Sequence, residues 1–202
     1  GDSLKNGKFL SGTHWSDTWC AAADSIFELT APTALAKVTS ADQSFSFSLP
    51  DLNGDTLTQD DFINGKTVHI YDITGSWCPN CKDAALTLKQ ISEQYTDEAV
   101  RVIPIAFERS ADLEEAKKAI SRMQTDLGLS GYFLFGGKAS RANTTAAFPD
   151  LDQVRAYPTI VITDKDGRAT EVYTGFYGPG TGAYHNRLKA DIKAVLDSLI
   201  KE

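Results

Sequence analysis

Cys78 and Cys81 stand two residues apart, with Trp77 in front, Pro79 and Asn80 between them and Lys82 behind. A close cysteine pair can bind metal or exchange electrons. A zinc site needs a second ligand pair, and the three histidines are scattered singly at 14, 69 and 185, so no metal is expected. Redox chemistry needs only the two thiols. The thiolate is the nucleophile, so what matters is how the chain around the pair sets each sulfur's charge.

The flanking residues supply that setting. Residues 68–73 are apolar or aromatic except for His69 and Asp72, as in a central strand covered on both faces. Ala84, Leu88, Ile91 and Tyr95 recur at helical spacing. The cysteines therefore open a helix that follows a buried strand. At that helix start the Cys78 sulfur meets unpaired backbone N–H groups and the positive end of the dipole. Pro79 suits the first helical position, where its missing N–H costs nothing. Cys78 is expected to be the exposed, attacking thiol, and Cys81, one turn further in, the buried thiol that resolves a mixed disulfide. Resolution requires Cys81 to lose a proton. Asp72 sits six residues before Cys78 on an otherwise apolar strand, and a buried carboxylate without a cation has a raised pKa. It is a candidate proton acceptor for Cys81; the alternative is an aspartate hydrogen-bonded at a strand end.

The other elements form a frame around this unit. Residues 100–107 read as a second buried strand, so the cysteines lie inside a strand–helix–strand crossover of parallel neighbours. Residues 110–127 form the clearest amphipathic helix, with Asp112 and Glu115 at capping spacing and Gly128 as its stop. A short strand at 132–135 and a short helix at 138–148 follow. Residues 160–162 and 171–174, joined by Asp164-Lys-Asp-Gly167, make an antiparallel hairpin. A glycine-rich loop at 175–182 precedes a last amphipathic helix carrying Leu188, Ile192, Val195, Leu196 and Leu199. Upstream, Phe45, Phe47 and Leu49 alternate with polar residues as a half-buried strand, and Asn53-Gly54 turns the chain toward Leu57. His69 is expected in the core wall with a hydrogen bond, and His185 at the surface.

Residues 1–43 read as an arm and 44–202 as the main domain. In the arm, His14 and Cys20 make too small a ligand set for zinc, Cys20 fits a small buried thiol, and Trp15 and Trp19 fit anchors. The net charge is −7 with no Lys/Arg cluster, which removes electrostatic support for nucleic-acid binding. No run of roughly 18 apolar residues suggests a membrane span. Residue 1 begins neither with Met nor with a signal peptide, so an export signal or lipid anchor upstream is compatible with this chain.

Trp77-Cys78-Pro79-Asn80-Cys81-Lys82, the strand with Asp72, and Tyr157-Pro158-Thr159 together resemble the thioredoxin superfamily. The resemblance is closer to its TlpA/ResA-like branch, over residues 44–199. It implies a thioredoxin-like α/β/α sandwich with a mixed central sheet, an N-terminal β-hairpin extension and a helical insertion. It also implies a cis Pro158 beside the dithiol, and a substrate groove formed by Trp77, Pro79, Tyr157, Pro158 and Thr159. The branch further implies reduction of disulfides in exported proteins outside the cytoplasm. A membrane electron donor of the DsbD/CcdA type would regenerate the dithiol, with no cofactor beyond the Cys78–Cys81 pair. ResA-like proteins carry an active-site glutamate after the second core strand; Glu108 stands one position from that place, as a catalytic residue or a plain solvated one. Pro79-Asn80 matches neither the Gly-Pro of thioredoxin nor the Pro-His of the oxidase DsbA, so oxidase or isomerase activity stays open, as does a non-catalytic peptide-binding domain. A peroxiredoxin would need Pro and Thr/Ser where Tyr71 and Gly75 stand. A Sco-type copper chaperone would need three residues between its cysteines.

Overall fold

The computed structural model describes residues 38–39, 42–43, 45–96 and 98–201, and the backbone of two short strands nearer the N-terminus. His14, Trp15, Trp19 and Cys20 lie outside the described residues. The chain forms two compact units, residues 1–31 and 32–202. In the first, β1 (Ser3–Lys5) and β2 (Lys8–Leu10) pair antiparallel.

The second unit begins with a hairpin of β3 (Ser48–Pro50) and β4 (Thr56–Thr58). Asp51 turns it, accepting from the N–H groups of Asn53 and Asp55 at 2.7 and 3.0 Å. Phe45 and Phe47 keep the inward alternation read from the sequence, but only residues 48–50 pair with a partner strand. The central sheet has the order β7-β6-β5-β8-β9: β7 (Leu134–Lys138), β6 (Val100–Glu108), β5 (Val68–Thr74), β8 (Thr159–Thr163) and β9 (Ala169–Thr174). Pairing is parallel for β5–β6 and β6–β7, and antiparallel for β5–β8 and β8–β9. Every residue of β5 is buried, as expected of the middle strand.

Alternation along β5 sends Val68, Ile70, Asp72 and Thr74 to one face and His69, Tyr71 and Ile73 to the other. The first face packs against α1 (Pro79–Ser92) through Ala84, Leu88 and Ile91, and against α4 (Ala183–Lys201) through Leu188, Ile192 and Leu196. The second face carries an aromatic wall of Phe45, Phe47, Phe62 and Phe148 around Tyr71. A third cluster joins α2 (Leu113–Leu127) to the sheet through Ala116, Ile120 and Met123. Asp112 caps α2 by accepting from the Glu115 N–H at 2.9 Å, and Gly128 ends it at φ +60°. The short helix α3 (Arg141–Ala147) is capped by Ser140.

One sequence expectation shifts in register. The short strand falls at Leu134–Lys138 and not at 132–135, because pairing to β6 starts only at Ile105–Leu134. That leaves residues 100–104 of β6 without a strand on their outer side among the described residues. Pro104 lies in this stretch, where a missing N–H is tolerated.

Candidate active site

The turn between β5 and α1 is fixed by close packing. A Cβ at Gly75 would stand 2.6 Å from Trp77 Nε1 and 2.8 Å from the Phe107 carbonyl oxygen, so only glycine fits there. The Trp77 Nε1–H donates to that Phe107 carbonyl at 2.9 Å, which ties the turn to the end of β6. Glu108, the last residue of β6, grips the same turn: its carboxylate accepts from the Ser76 N–H at 2.8 Å and the Ser76 hydroxyl at 2.7 Å. Glu108 is only 3% exposed, which corrects the solvated alternative. The reason is its partner, a backbone amide two residues before Cys78.

Cys78 is the N-cap of α1, with extended backbone (φ −96°, ψ 117°). Its sulfur accepts from the Cys81 N–H at 3.3 Å and lies 3.8 Å from the Tyr157 carbonyl oxygen. Both cysteines are free thiols. Cys81 is fully buried, as expected, but Cys78 is also buried, at 7% exposure. The expected open thiol is thus covered, because the segment before Pro158 crosses its sulfur. The Tyr157–Pro158 peptide bond is cis. Pro158 is buried, and its carbonyl accepts from the Gly175 N–H at 2.9 Å.

Tyr157 is braced from two sides. Trp77 meets it edge-on with ring centroids 5.7 Å apart, and its hydroxyl lies 2.5 Å from Thr144 Oγ1 on α3. The Arg109 guanidinium stands 5.9 Å from the Trp77 ring centroid. Pro79 is exposed beside the thiols, whereas the Thr159 side chain turns inward and donates to the Ala156 carbonyl at 2.9 Å. Asn80, between the cysteines, donates to the Phe176 carbonyl at 3.0 Å and anchors the glycine-rich loop.

Behind Cys81 stands Asp72, with no exposure and, among the described residues, no hydrogen-bond partner for either carboxylate oxygen. Burial pushes its carboxyl up to about 7, with the Thr74 hydroxyl on the same face opposing the rise. Burial also pushes the Cys81 thiol well above its ordinary range; the contact with Cys78 and the charge of Asp72 add to it. Asp72 and Cys81 are thus electrostatic neighbours, and a proton on one favours its loss from the other.

The structure therefore gathers Cys78, Cys81, Trp77, Pro79, Tyr157 and Pro158 at one end of the sheet, with Asp72 beneath. Glu108 reaches the group only through Ser76. Sequence reasoning missed Ser76, Asn80, Arg109 and Thr144, since each acts through a contact distant in the chain. Two histidines also need correction. His69 has no hydrogen-bond partner among the described residues and stacks on Tyr71, centroids 5.9 Å apart. His185 is not a surface residue: at 9% exposure it packs against Phe176, and its Nδ1 lies 2.8 Å from the Tyr177 carbonyl oxygen. Among the described residues no group of three or more His, Cys, Asp or Glu side chains could hold a metal ion.

A protein-family model described as Redoxin matches residues 37–188. The chain belongs to the Redoxin family. It is accordingly a thioredoxin-like thiol–disulfide oxidoreductase. Solved structures show the same fold. A secreted thiol-disulfide isomerase from Corynebacterium glutamicum superposes with a TM-score of 0.59 at 19% identity, covering 87% of this chain and 98% of its own. A DsbF homologue from Corynebacterium diphtheriae gives 0.59 at 18% identity, over 86% and 99%. A putative thiol:disulfide interchange protein DsbE from Chlorobium tepidum gives 0.57 at 19%, over 79% and 99%. No curated protein sequence matches this redoxin.

Proposed function

We propose that this redoxin reduces disulfides of proteins outside the cytoplasm, with Cys78 as the attacking thiolate, Cys81 as the resolving thiol and Asp72 as the proton acceptor. The observation that carries the reading is the fully buried Asp72 carboxyl, without a hydrogen-bond partner among the described residues, acting electrostatically on Cys81. The Cys78 sulfur attacks one sulfur of the substrate, whose S–S bond breaks and whose second sulfur leaves as thiolate. The Cys81 S–H proton passes to Asp72. The Cys81 thiolate then attacks Cys78, the mixed disulfide breaks, and the Cys78–Cys81 bond forms as the substrate leaves with two electrons more than it brought.

Trp77, Pro79, Tyr157 and Pro158 border the attacking sulfur and form the substrate groove; Thr159 contributes backbone, its side chain being turned inward. Glu108 holds the Ser76–Trp77 turn in place and is a positioning residue. One similar structure is that of a secreted thiol-disulfide isomerase, which supports an extracytoplasmic setting. Among the described residues no helix is long and apolar enough to cross a membrane. Regeneration requires an outside dithiol donor, for which a membrane protein of the DsbD/CcdA type is the candidate.

The test is insulin reduction by the wild type and Cys78→Ser, together with the potential of the Cys78–Cys81 couple. Loss of reduction in the variant and a potential near about −270 mV support a reductase. Equal rates would sink the enzymatic reading in favour of a peptide-binding domain. A potential near about −120 mV would make the protein an oxidase.

A further inference from the structure

The strand order puts different neighbours on the two sides of the dithiol. Strands β5, β6 and β7 run parallel, so their C-terminal residues share the end of the sheet from which Cys78 and Cys81 follow β5. On one side of the pair stand Glu108 and Arg109 at the end of β6, and Lys138 at the end of β7 in register with Glu108. On the other side stand Pro158, just before β8, and the glycine-rich loop that follows β9. The Asp83 carboxylate belongs to this second side, since a Cβ on Gly178 would stand 3.0 Å from its Oδ2.

Arg109 is exposed and its guanidinium stands over Trp77, 5.9 Å from the ring centroid. The carboxylates nearest to it in sequence are committed elsewhere. Glu108 holds Ser76, and Asp112 caps α2 by accepting from the Glu115 N–H at 2.9 Å. Among the described residues the ion pairs join Lys89 to Glu93 and Arg168 to Asp164 and Asp166, so Arg109 and Lys138 have none. A guanidinium stacked on an aromatic face keeps its planar edge of N–H donors free. That edge matches a carboxylate with two parallel hydrogen bonds.

We propose that Arg109 is a specificity residue of the substrate groove, selecting disulfides that carry an Asp or Glu beside the cysteine. The inference rests on the dithiol chemistry and the groove proposed above, because Trp77 is what places the Arg109 charge beside the attacking sulfur. The chain as a whole carries a net charge of −7, which disfavours an acidic peptide at long range. Arg109, with Lys138 behind it, gives such a peptide a local match within about 10 Å, the distance over which salt leaves charges in contact. The electron count is that of the reaction above. Two electrons pass from the dithiol to the peptide's S–S bond, and Arg109 neither gives nor takes a proton.

The test uses peptides of one length, each with a single internal disulfide flanked by Glu, Gln or Lys. Prereduced full-length protein in excess gives the second-order rate of each reduction in a single turnover. Dividing by the rate with uncharged dithiothreitol removes differences in the disulfide itself. Wild type should reduce the Glu peptide about five- to tenfold faster than the Lys peptide at low salt. In about 0.5 M NaCl the ratio should shrink below about twofold. At low salt Arg109→Gln should bring the ratio within about twofold, Arg109→Glu should invert it, and Arg109→Lys should keep its direction. A wild type with no preference, or one that prefers the Lys peptide as net charge alone dictates, overturns the proposal. So does an Arg109→Gln variant that slows every peptide by one factor and keeps the ratio, since Arg109 would then act on the Cys78 thiolate or the Trp77 turn. The two readings fail separately. If wild type reduces none of the peptides, the reductase reading falls and the selectivity with it; if it reduces all of them equally, only the selectivity falls.

Discussion

Asp72 and His69 lie three residues apart on β5 and face opposite sides of the same sheet, both fully buried and both without a hydrogen-bond partner among the described residues. Burial drives them in opposite directions, each toward its neutral form. The Asp72 carboxyl rises to about 7 and the His69 imidazole falls to about 4, the latter with help from Arg101. What separates them is the company they keep. Asp72 has a second titratable group, Cys81, under its influence. His69 has the Tyr71 ring. A perturbed group becomes a site when a reactive partner lies within its influence, and only one face of this strand supplies one.

Asp72→Asn should break the comparison on its active side and has the largest expected effect. Without the acceptor, resolution of the mixed disulfide slows by about 10²-fold or more, measured in single turnover. Stability moves the other way. The folded pKa of about 7 lies above the ordinary 3.8, so between them the folded state binds more protons than the unfolded one. Stability therefore falls as pH rises from about 4 to 7 and stays low above that. About three pKa units correspond to an upper bound of about 4 kcal/mol. Urea unfolding at pH 8 should show Asp72→Asn more stable than wild type by up to that amount, and the gain should vanish near pH 4. A variant no more stable at pH 8 would mean that Asp72 carries no burial cost.

On the quiet face, His69→Phe should alter stability with pH while leaving disulfide reduction within about twofold of wild type. The folded pKa of about 4 lies below the ordinary 6.5, so between them the unfolded state binds more protons. Wild-type stability should therefore rise with pH from about 4 to 6.5 and be flat above, a span of at most about 3 kcal/mol. Phe keeps the ring stacked on Tyr71 and removes the titration, so the acid slope should flatten in urea unfolding at pH 4.5 against pH 7. A tenfold loss of reductase activity in His69→Phe would erase the distinction between the faces.

The two faces also differ in how much of them was legible beforehand. The dithiol, the helix it opens and Asp72 as a lone carboxylate in an apolar strand follow from local spacing, and the structure keeps them adjacent. The proline partner was legible only through family resemblance, since nothing local links Pro158 to Cys78. Contacts that cross the sheet left no local trace. Glu108 and Ser76 are 32 positions apart, and nothing near either residue marks it as the other's partner. His69 was expected to have a hydrogen bond because buried polar groups usually do, but it lies against the Tyr71 ring and has no partner among the described residues. His185 was placed at the surface by its position on the final helix, but the glycine-rich loop folds over it. Cys78 is covered for the same kind of reason, since a segment 79 residues away crosses its sulfur.

Tyr71→Phe gives the smallest expected effect and the finest test of the quiet face. Its hydroxyl is buried and, like His69 and Thr163 beside it, has no partner among the described residues. Gln59, the nearby amide, donates instead to the Gly167 carbonyl at 2.7 Å. Removing an unsatisfied hydroxyl relieves its desolvation cost and leaves the ring contacts with Phe45 and Phe47 intact. Thermal or urea unfolding at pH 7 should show Tyr71→Phe as stable as wild type or up to about 1 kcal/mol more so. Reductase activity should not change. A loss of about 1.5 kcal/mol or more would instead show that the hydroxyl is hydrogen-bonded in solution, and the face bearing His69 would then hold a connected polar network.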